Sequence, residues 1–416
     1  MNKDVSGIML ILLVGMLTLA FNVQPAKAEP RTIYVDDDNV GGPWDGTLKH
    51  PYQDISTALK QASENDTIFV NDGTYNENVI VNKTVTLVGE NPKTTIIDGN
   101  KRQMSVVLIN RNGVKIKGFT IQNSGVGVLV GGIHVWKSQR VEIYNNLIRT
   151  SYPGLLLTQS KYCEIFENQI VNNVFCGIYL HDNSSYNQIV GNTIINHTEG
   201  IHFADSSSEH NNFHHNNFIN NTRHVWSMGS VNTWDDGYPS GGNYWSDYIG
   251  DDIYSGAYQN VTGSDGIGDT PYVIDGKNDS YPLMAQINFF DVGAWDRTAY
   301  NVDVISNFAV SNFQLDIDQK MVSFNVTGEA GLGFCRVTIP NVIIQGLWRG
   351  NYTVLLNGEP WLFTNWTDNA NAYIYINYIQ PGKVIIIPEF PSAVTLLFLI
   401  VYTMLIIFAK NVRKFH

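Results

Sequence analysis

The stretch GIHVWKSQRVEIYNNLI, from Gly132 to Ile148, is followed by three variations on itself: GLLLTQSKYCEIFENQI from Gly154, GIYLHDNSSYNQIVGNTI from Gly177 and GIHFADSSSEHNNFHHNNF from Gly200. The opening glycines are 22, 23 and 23 residues apart. Repeats of this length, built from short β-type runs and Asn turns without a helix-length segment, are the signature of a solenoid. Each copy reads as two strand-like pieces.

Alternation within the copies tells which side chains face inward. Ile133, Leu155, Ile178 and Ile201 follow the glycines, and Val135, Leu157, Leu180 and Phe203 come two residues later. With the period of two in a strand, these two columns fill a core. Ile148, Ile170, Ile194 and Phe218 form a third column, and Asn146, Asn168, Asn192 and Asn216 share one turn position. Asn suits that position because it tolerates left-handed backbone and hydrogen-bonds locally. Stacked rungs pair every strand above and below, so open edges remain only at the two ends and need caps.

Working toward the N-terminus, DTIFV, NVIVN, VTLVG, TTIID, VVLIN and VKIKGFTI are β-branched runs split by Gly, Asn and Asp, the mark of irregular early rungs. Before them, Ile55, Ala58, Leu59 and Ala62 fall at helical spacing, and a short amphipathic helix there is expected to plug the first rung.

Residues 31–284 resemble the right-handed parallel β-helix repeat proteins of archaeal and bacterial cell surfaces, in particular the NosD-like family named for a nitrous oxide reductase maturation factor. The matching pieces are IYVDDD, DTIFVNDGTYNENVIVNKTVTLVGE, the NN-x-I rungs, and the closing NTWDDGYPSGGNYWSDY with GSDGIGDTPYVID. The IPEFPS tail resembles an archaeal sorting-type signal, which implies surface attachment.

Between Asn232 and Met284 the repeat stops. Nine aspartates (Asp235, Asp236, Asp247, Asp251, Asp252, Asp265, Asp269, Asp275, Asp279) stand against one lysine, Lys277. Clustered carboxylates repel unless they are solvated or neutralised, and hard oxygen ligands suit Ca²⁺. Asp265 and Asp269 are the expected ligands of a structural calcium, with a solvated acidic loop as the other reading. Trp234, Tyr238, Tyr244, Trp245 and Tyr248 are interleaved with these carboxylates, and Trp226 stands just before them. Trp234, Tyr244 and Trp245, with Tyr179 on the solenoid face, are the candidates to stack on a sugar. The alternative is that the aromatics of the closing segment pack over the last rung as a cap.

From Phe289 to Ile387 the runs NFQLDID, MVSFNVTG, GFCRVTIPN, YTVLLNG, AYIYINYI and KVIIIP alternate with Gly, Asn and Pro turns. They predict a small Ig-like β-sandwich, read as a stalk.

The ends complete the organisation. Met1–Ala28 carries an early lysine, an apolar core and a small-residue A-K-A ending, the pattern of a secretory signal peptide. Ala393–Ala409 is free of charge and is followed by Lys410, Arg413 and Lys414, which predicts a C-terminal transmembrane helix with a cytoplasmic tail. The expected plan is therefore all-β with a terminal anchor: signal peptide 1–28, parallel β-helix 29–229, closing segment 230–287, sandwich 288–387, and sorting motif, span and tail 388–416. The formal charge of −12 argues against nucleic acid as partner. N-x-S/T sites such as Asn65, Asn183 and Asn351 suit glycosylation of an exported chain. Three cysteines are too few for a disulfide scaffold, and Cys163 and Cys176 leave a bridge open beside the reading of buried thiols.

Chemistry is harder to read. His134 and His202 occupy one outward column with Leu156 and Tyr179, three rungs apart, or about 14 Å at roughly 4.8 Å per rung. That is too far to share a metal ion. Of His210, His214 and His215, at most two converge. Glu142 and Glu164 align on adjacent rungs, but on one side of any substrate, which suits neither carboxylate geometry of a glycosidase. Arg140 and Lys161 are the expected counter-charges. The expectation is a non-catalytic, membrane-anchored extracellular β-helix protein that binds a polysaccharide or a surface protein. A metalloenzyme-maturation or copper-associated accessory role is the alternative the resemblance implies, and a polysaccharide lyase or hydrolase is the second.

Overall fold

The computed structural model describes residues 29–295 and 297–389. The expected signal peptide and the expected span at Ala393–Ala409 lie outside the described residues, and no helix among the described residues is long and apolar enough to cross a membrane.

The repeats stack as about seven turns of a parallel β-solenoid, with three strands per turn rather than two. Sheet I has eight strands, from Thr32–Val35 to Asn212–His214. Sheet II has eight, from Gly73–Tyr75 to Tyr244–Trp245, and sheet III has seven, from Val79–Val81 to Arg223–Trp226. The third strand was hidden in runs such as EIYNNLI, which is two strands, Glu142–Tyr144 and Leu147–Arg149. Asn145 between them takes a left-handed backbone (φ 51°), as do Glu167 (54°), Gly191 (70°) and His215 (57°) one turn further each time. A single left-handed residue turns the corner from sheet I to sheet II without interrupting the stack. The conformational demand therefore falls one residue before the Asn column, not on it.

The column Asn do different work. Their side chains point inward, where Asn146 and Asn168 are 2% and 1% exposed and Asn192 and Asn216 are fully buried. Each Nδ2 donates to the next Oδ1: Asn146 to Asn168 (3.1 Å), Asn168 to Asn192 (2.9 Å), Asn192 to Asn216 (3.1 Å) and Asn216 to Asn243 (3.0 Å). Each also donates to a carbonyl one turn back, beginning with Ile116. A buried amide is costly unless hydrogen-bonded, and here both its donors and its acceptor are used. The ladder ends on Asp279, whose Oδ2 accepts from Asn243 N (2.7 Å), Asn243 Nδ2 (3.3 Å) and Trp245 Nε1 (2.9 Å).

Further polar ladders run at the other corners. Ser138, Ser160, Ser184 and Ser208 connect hydroxyl to backbone N–H along the stack. Asn187, Asn211 and Asn232 repeat the amide pattern, and Asn173, His197 and Asn221 make another. Between the corners the apolar columns pair in register, Ile133 with Leu155, Leu155 with Ile178 and Ile178 with Ile201, all fully buried. The three cysteines are buried free thiols.

Both ends are capped. Helix α1 (Ile55–Gln61) buries Ile55, Ala58 and Leu59 over the first turn. Asp54 accepts Thr57 N–H, and the Glu77 carboxylate accepts the N–H groups of Ile55 and Ser56. Lys83 Nζ donates to the carbonyls of Leu59, Lys60 and Ala62, so charges of the right sign hold both termini. At the far end Trp234 stacks on Phe213 (4.4 Å between ring centroids), and Trp245 lies between Phe218 (4.3 Å) and Tyr272 (4.4 Å).

Residues 287–388 form two five-stranded antiparallel sheets around a core that includes Val304, Phe324, Val337, Ile374 and Ile386. The six predicted runs are all strands. A hairpin, Ile287–Trp295 with Thr298–Ser306, two short strands, Glu359–Pro360 and Thr364–Thr367, and a helix α2 (Asn341–Trp348) are additional. The β-branched run in NVIIQGLW masks the helix, but Pro340 before it and Arg349 in left-handed conformation after it are the stop signals at each end.

This domain lies against the solenoid rather than apart from it as a stalk. Asn217 holds Ile287, and Phe289 rests over Gly191, where a Cβ would come within 3.0 Å of its ring. Arg336, fully buried, donates to the carbonyl oxygens of Asp265 and Pro239 in the closing segment.

Candidate functional site

The predicted ligand residues divide on burial. Trp234 and Trp245 are 3% and 1% exposed, because the last turn has an apolar underside that their rings must cover. They form the cap and offer no face to a sugar. Tyr244, next to Trp245 on the last strand of sheet II, packs partly buried against the Ile267 and Leu283 cluster. Tyr179 remains partly exposed on sheet III.

The expected calcium ligands point to different backbone segments. Asp269 accepts the N–H groups of Ile253 and Tyr254, whereas fully buried Asp265 accepts Ile267 N–H. The charge close to Asp265 is the guanidinium of Arg336, which opposes the upward pull that burial exerts on the carboxyl. Asp252 accepts the N–H groups of Asp265 and Gly266, and burial pushes its carboxyl up to about 7. Asp252, Asp265 and Asp269 thus act chiefly as acceptors for loop N–H groups.

Around Tyr179 an aromatic strip runs along the outer face of sheet III. Register places Tyr179, His202 and Trp226 on successive turns. The His202 ring stacks on Trp226 at 4.4 Å and 6°, and stands 4.8 Å from Tyr179 and 4.9 Å from Phe175. Phe175 in turn stacks on Tyr152 at 5.4 Å. All five rings are partly exposed. Glu199 Oε2 lies 2.5 Å from His202 Nδ1 and fixes the imidazole between its neighbours. His181 and Asp205 stand beside Tyr179, giving the strip donors and acceptors along one margin. Toward the N-terminus the same column continues as Leu156 and His134, both buried, with Gly131 packed on Leu156. His134 hydrogen-bonds Thr158, and burial pushes its imidazole down to about 4.

Tyr152 and Phe175 were not singled out from sequence, and Trp226 was grouped with the aromatics of the closing segment rather than with Tyr179. Tyr152 and Phe175 each stand two residues before a repeat glycine, and that spacing was the available signal. The Glu142 and Glu164 pair does stack in register, but the counter-charge of Glu142 is Lys115 on the preceding turn, at 2.8 Å, rather than Arg140 or Lys161.

The protein is thus a three-sided parallel β-solenoid with an aromatic outer strip, a capped base and an antiparallel domain docked beside it. Residues 59–250, a little under half of the chain, match the family model described as periplasmic copper-binding protein (NosD). No curated protein matches the chain. Among solved structures, pectin methylesterase from Yersinia enterocolitica is 15% identical over 46% of this chain and 77% of its own, with a TM-score of 0.33. Pectin methylesterase PemA from Erwinia chrysanthemi is 13% identical over 50% and 72%, with a TM-score of 0.34. The catalytic domain of a GH87 alpha-1,3-glucanase is 16% identical over 54% of this chain and 41% of its own, with a TM-score of 0.40. Likeness at this level does not bear on activity.

The side chains do not fit the copper of the family description. Among the described residues no group of three or more His, Cys, Asp or Glu is placed to hold a metal ion. His134 and His202 are three turns apart by register. His214 and His215 are neighbours at 4.8 Å, but His215 Nε2 is engaged by Ser240.

Proposed function

We propose that the protein is a non-catalytic extracytoplasmic β-helix protein, held at the cell surface by its C-terminal apolar run, that binds a glycan along sheet III. The observation that carries this reading is the row Tyr179, His202 and Trp226 on consecutive turns, flanked by Phe175 and Tyr152. Rungs repeat every ~4.8 Å, so the strip extends roughly 15–20 Å, the reach of several sugar units in an extended chain. Aromatic faces stack on the C–H faces of sugar rings, while Glu199, His181 and Asp205 supply hydrogen bonds at the margin. The periplasmic description of the family supports the extracytoplasmic placement.

The test is a polysaccharide panel read by both calorimetry and product analysis. Binding of at least one glycan without release of reducing ends or unsaturated products is expected, weakened about tenfold or more by Tyr179→Ala or Trp226→Ala. Turnover of any member, or binding indifferent to both variants, overturns the reading.

A further inference from the structure

A cleft of about 530 Å³ separates the outer face of sheet I from the first hairpin of the sandwich. It is on a different face of the solenoid from the aromatic strip. Phe166, Phe289 and Tyr300 supply aromatic walls, and Glu167 and Asp303 enter from opposite domains. Asn301 Nδ2 donates to Glu167 Oε1 at 2.6 Å, while Asp303 Oδ1 is shut off from solvent with no hydrogen-bond partner. Burial and the nearby Glu167 charge push the Asp303 carboxyl up to about 8. Glu167 is itself raised by burial and by Asp291, against the pull of Asn301. Glu164 lies at the exposed rim, and His215, held neutral by burial, adds no positive charge. Among the described residues no lysine or arginine lines this cleft.

We infer that the cleft is a binding site for a small organic ammonium ion, its charge set between Glu167 and Asp303 and its apolar body against Phe166, Phe289 and Tyr300. Two acidic groups in one partly desolvated space, one of them with an orphaned oxygen, are stabilised most by a cation placed between them. An aromatic wall adds cation–π attraction. A bare metal ion fits less well, since calcium requires six to eight oxygens closing around it and no three-ligand group exists among the described residues. A neutral sugar leaves the carboxyl pair uncompensated. The volume lies within the roughly 300–1,000 Å³ typical of small-molecule sites.

Because the ligand's charge favours the ionised carboxyls, binding near neutral pH releases protons, and affinity rises with pH up to the range where Asp303 ionises unaided. The probe is benzylamine, an ammonium throughout pH 5.5–8, titrated by calorimetry in phosphate and in Tris, with benzyl alcohol as its neutral counterpart and calcium chloride as the metal arm. Expected are saturable benzylamine binding, heats that differ between the two buffers, and affinity at least tenfold weaker at pH 5.5 than at pH 8. Asp303→Asn and Glu167→Gln should each weaken binding about tenfold. If Asp303→Asn fails to fold, Glu167→Gln on the solenoid carries the test alone. Absence of benzylamine binding, equal binding of benzyl alcohol, calcium binding in its place, or affinity unchanged in Glu167→Gln each overturns the inference.

Discussion

The side-chain amide of Asn217 makes both hydrogen bonds to the backbone of Ile287: Oδ1 accepts its N–H and Nδ2 donates to its carbonyl, each at 2.9 Å. One side chain thereby acts as a strand partner, so the sandwich begins where sheet II nears its end. Asn217 is 3% exposed, so truncation leaves two backbone groups unmet at a buried site. Asn217→Ala is expected to cost about 2–4 kcal/mol and to speed hydrogen exchange at Ile287 before the solenoid core opens. Exchange at Ile287 unchanged in the variant would refute the docking role.

Arg336 makes the second attachment. It is fully buried, donates to the carbonyls of Asp265 and Pro239, and lies over the Tyr373 ring at 4.9 Å. Arg336→Ala strands the Asp265 carboxylate without its counter-charge and is expected to destabilise by about 3–5 kcal/mol. Arg336→Met, which keeps the stem packing, should recover only a small part. Denaturant unfolding of both variants decides this, and full recovery by Met would show that packing alone matters.

Asp279 terminates the Asn ladder. Its oxygens accept from the backbone of Asn243 and Tyr281, from Asn243 Nδ2 and from the Trp245 indole. An amide in its place turns a donor toward donors, so Asp279→Asn is expected to cost about 3 kcal/mol or more despite its equal size. The near-ultraviolet dichroism of Trp245 should change with it. A melting point within a degree of the parent would remove Asp279 from this role.

How much of this was open to sequence depends on what each residue's partner is. Ile133, Leu155 and Ile178 face their own equivalents one turn away, so periodicity alone predicts their contacts. The Asn column was equally visible, but its role was not, because Asn favours both left-handed corners and buried amide ladders; the structure gives the corner to Asn145, Glu167, Gly191 and His215. Trp234 and Trp245 were recognised as a group, yet composition cannot separate a stacking platform from a cap, and 3% and 1% exposure decides it. The cleft lay beyond sequence reasoning: Glu167 and Asp303 are 136 positions apart and meet only because Asn217 and Arg336 fix how the domains dock.

The pH dependence of stability should have a maximum near neutrality, with the two limbs assigned to different residues. His197 accepts from Asn173 Nδ2 at Nε2 and pairs through Nδ1 with Asn221 Oδ1, an arrangement that needs a neutral ring. Burial pushes His134, His197 and His215 down to about 4 from an ordinary 6.5. Their contribution is complete above 6.5 and is lost as pH falls toward 4, because the unfolded chain takes up protons that the folded chain refuses. Asp303 acts in the opposite sense. Its folded value of about 8 lies above the ordinary 3.8, so the folded chain holds a proton that the unfolded chain has released, and stability declines as pH rises toward 8. Below 6.5 these three histidines, with His214 and His224 lowered in the same sense by burial, outweigh the raised carboxyls. Above it only the carboxyls act, Asp252 and Asp279 up to about 7 and Asp303 up to about 8, each at up to about 1.4 kcal/mol per pH unit. Melts at pH 4.5, 6.5 and 8.5 should be highest at 6.5. His197→Asn should make the acid limb shallower and Asp303→Asn the alkaline one, most of all between pH 7 and 8, whereas a melting point that climbs steadily to pH 8.5 would rule out the protonated Asp303.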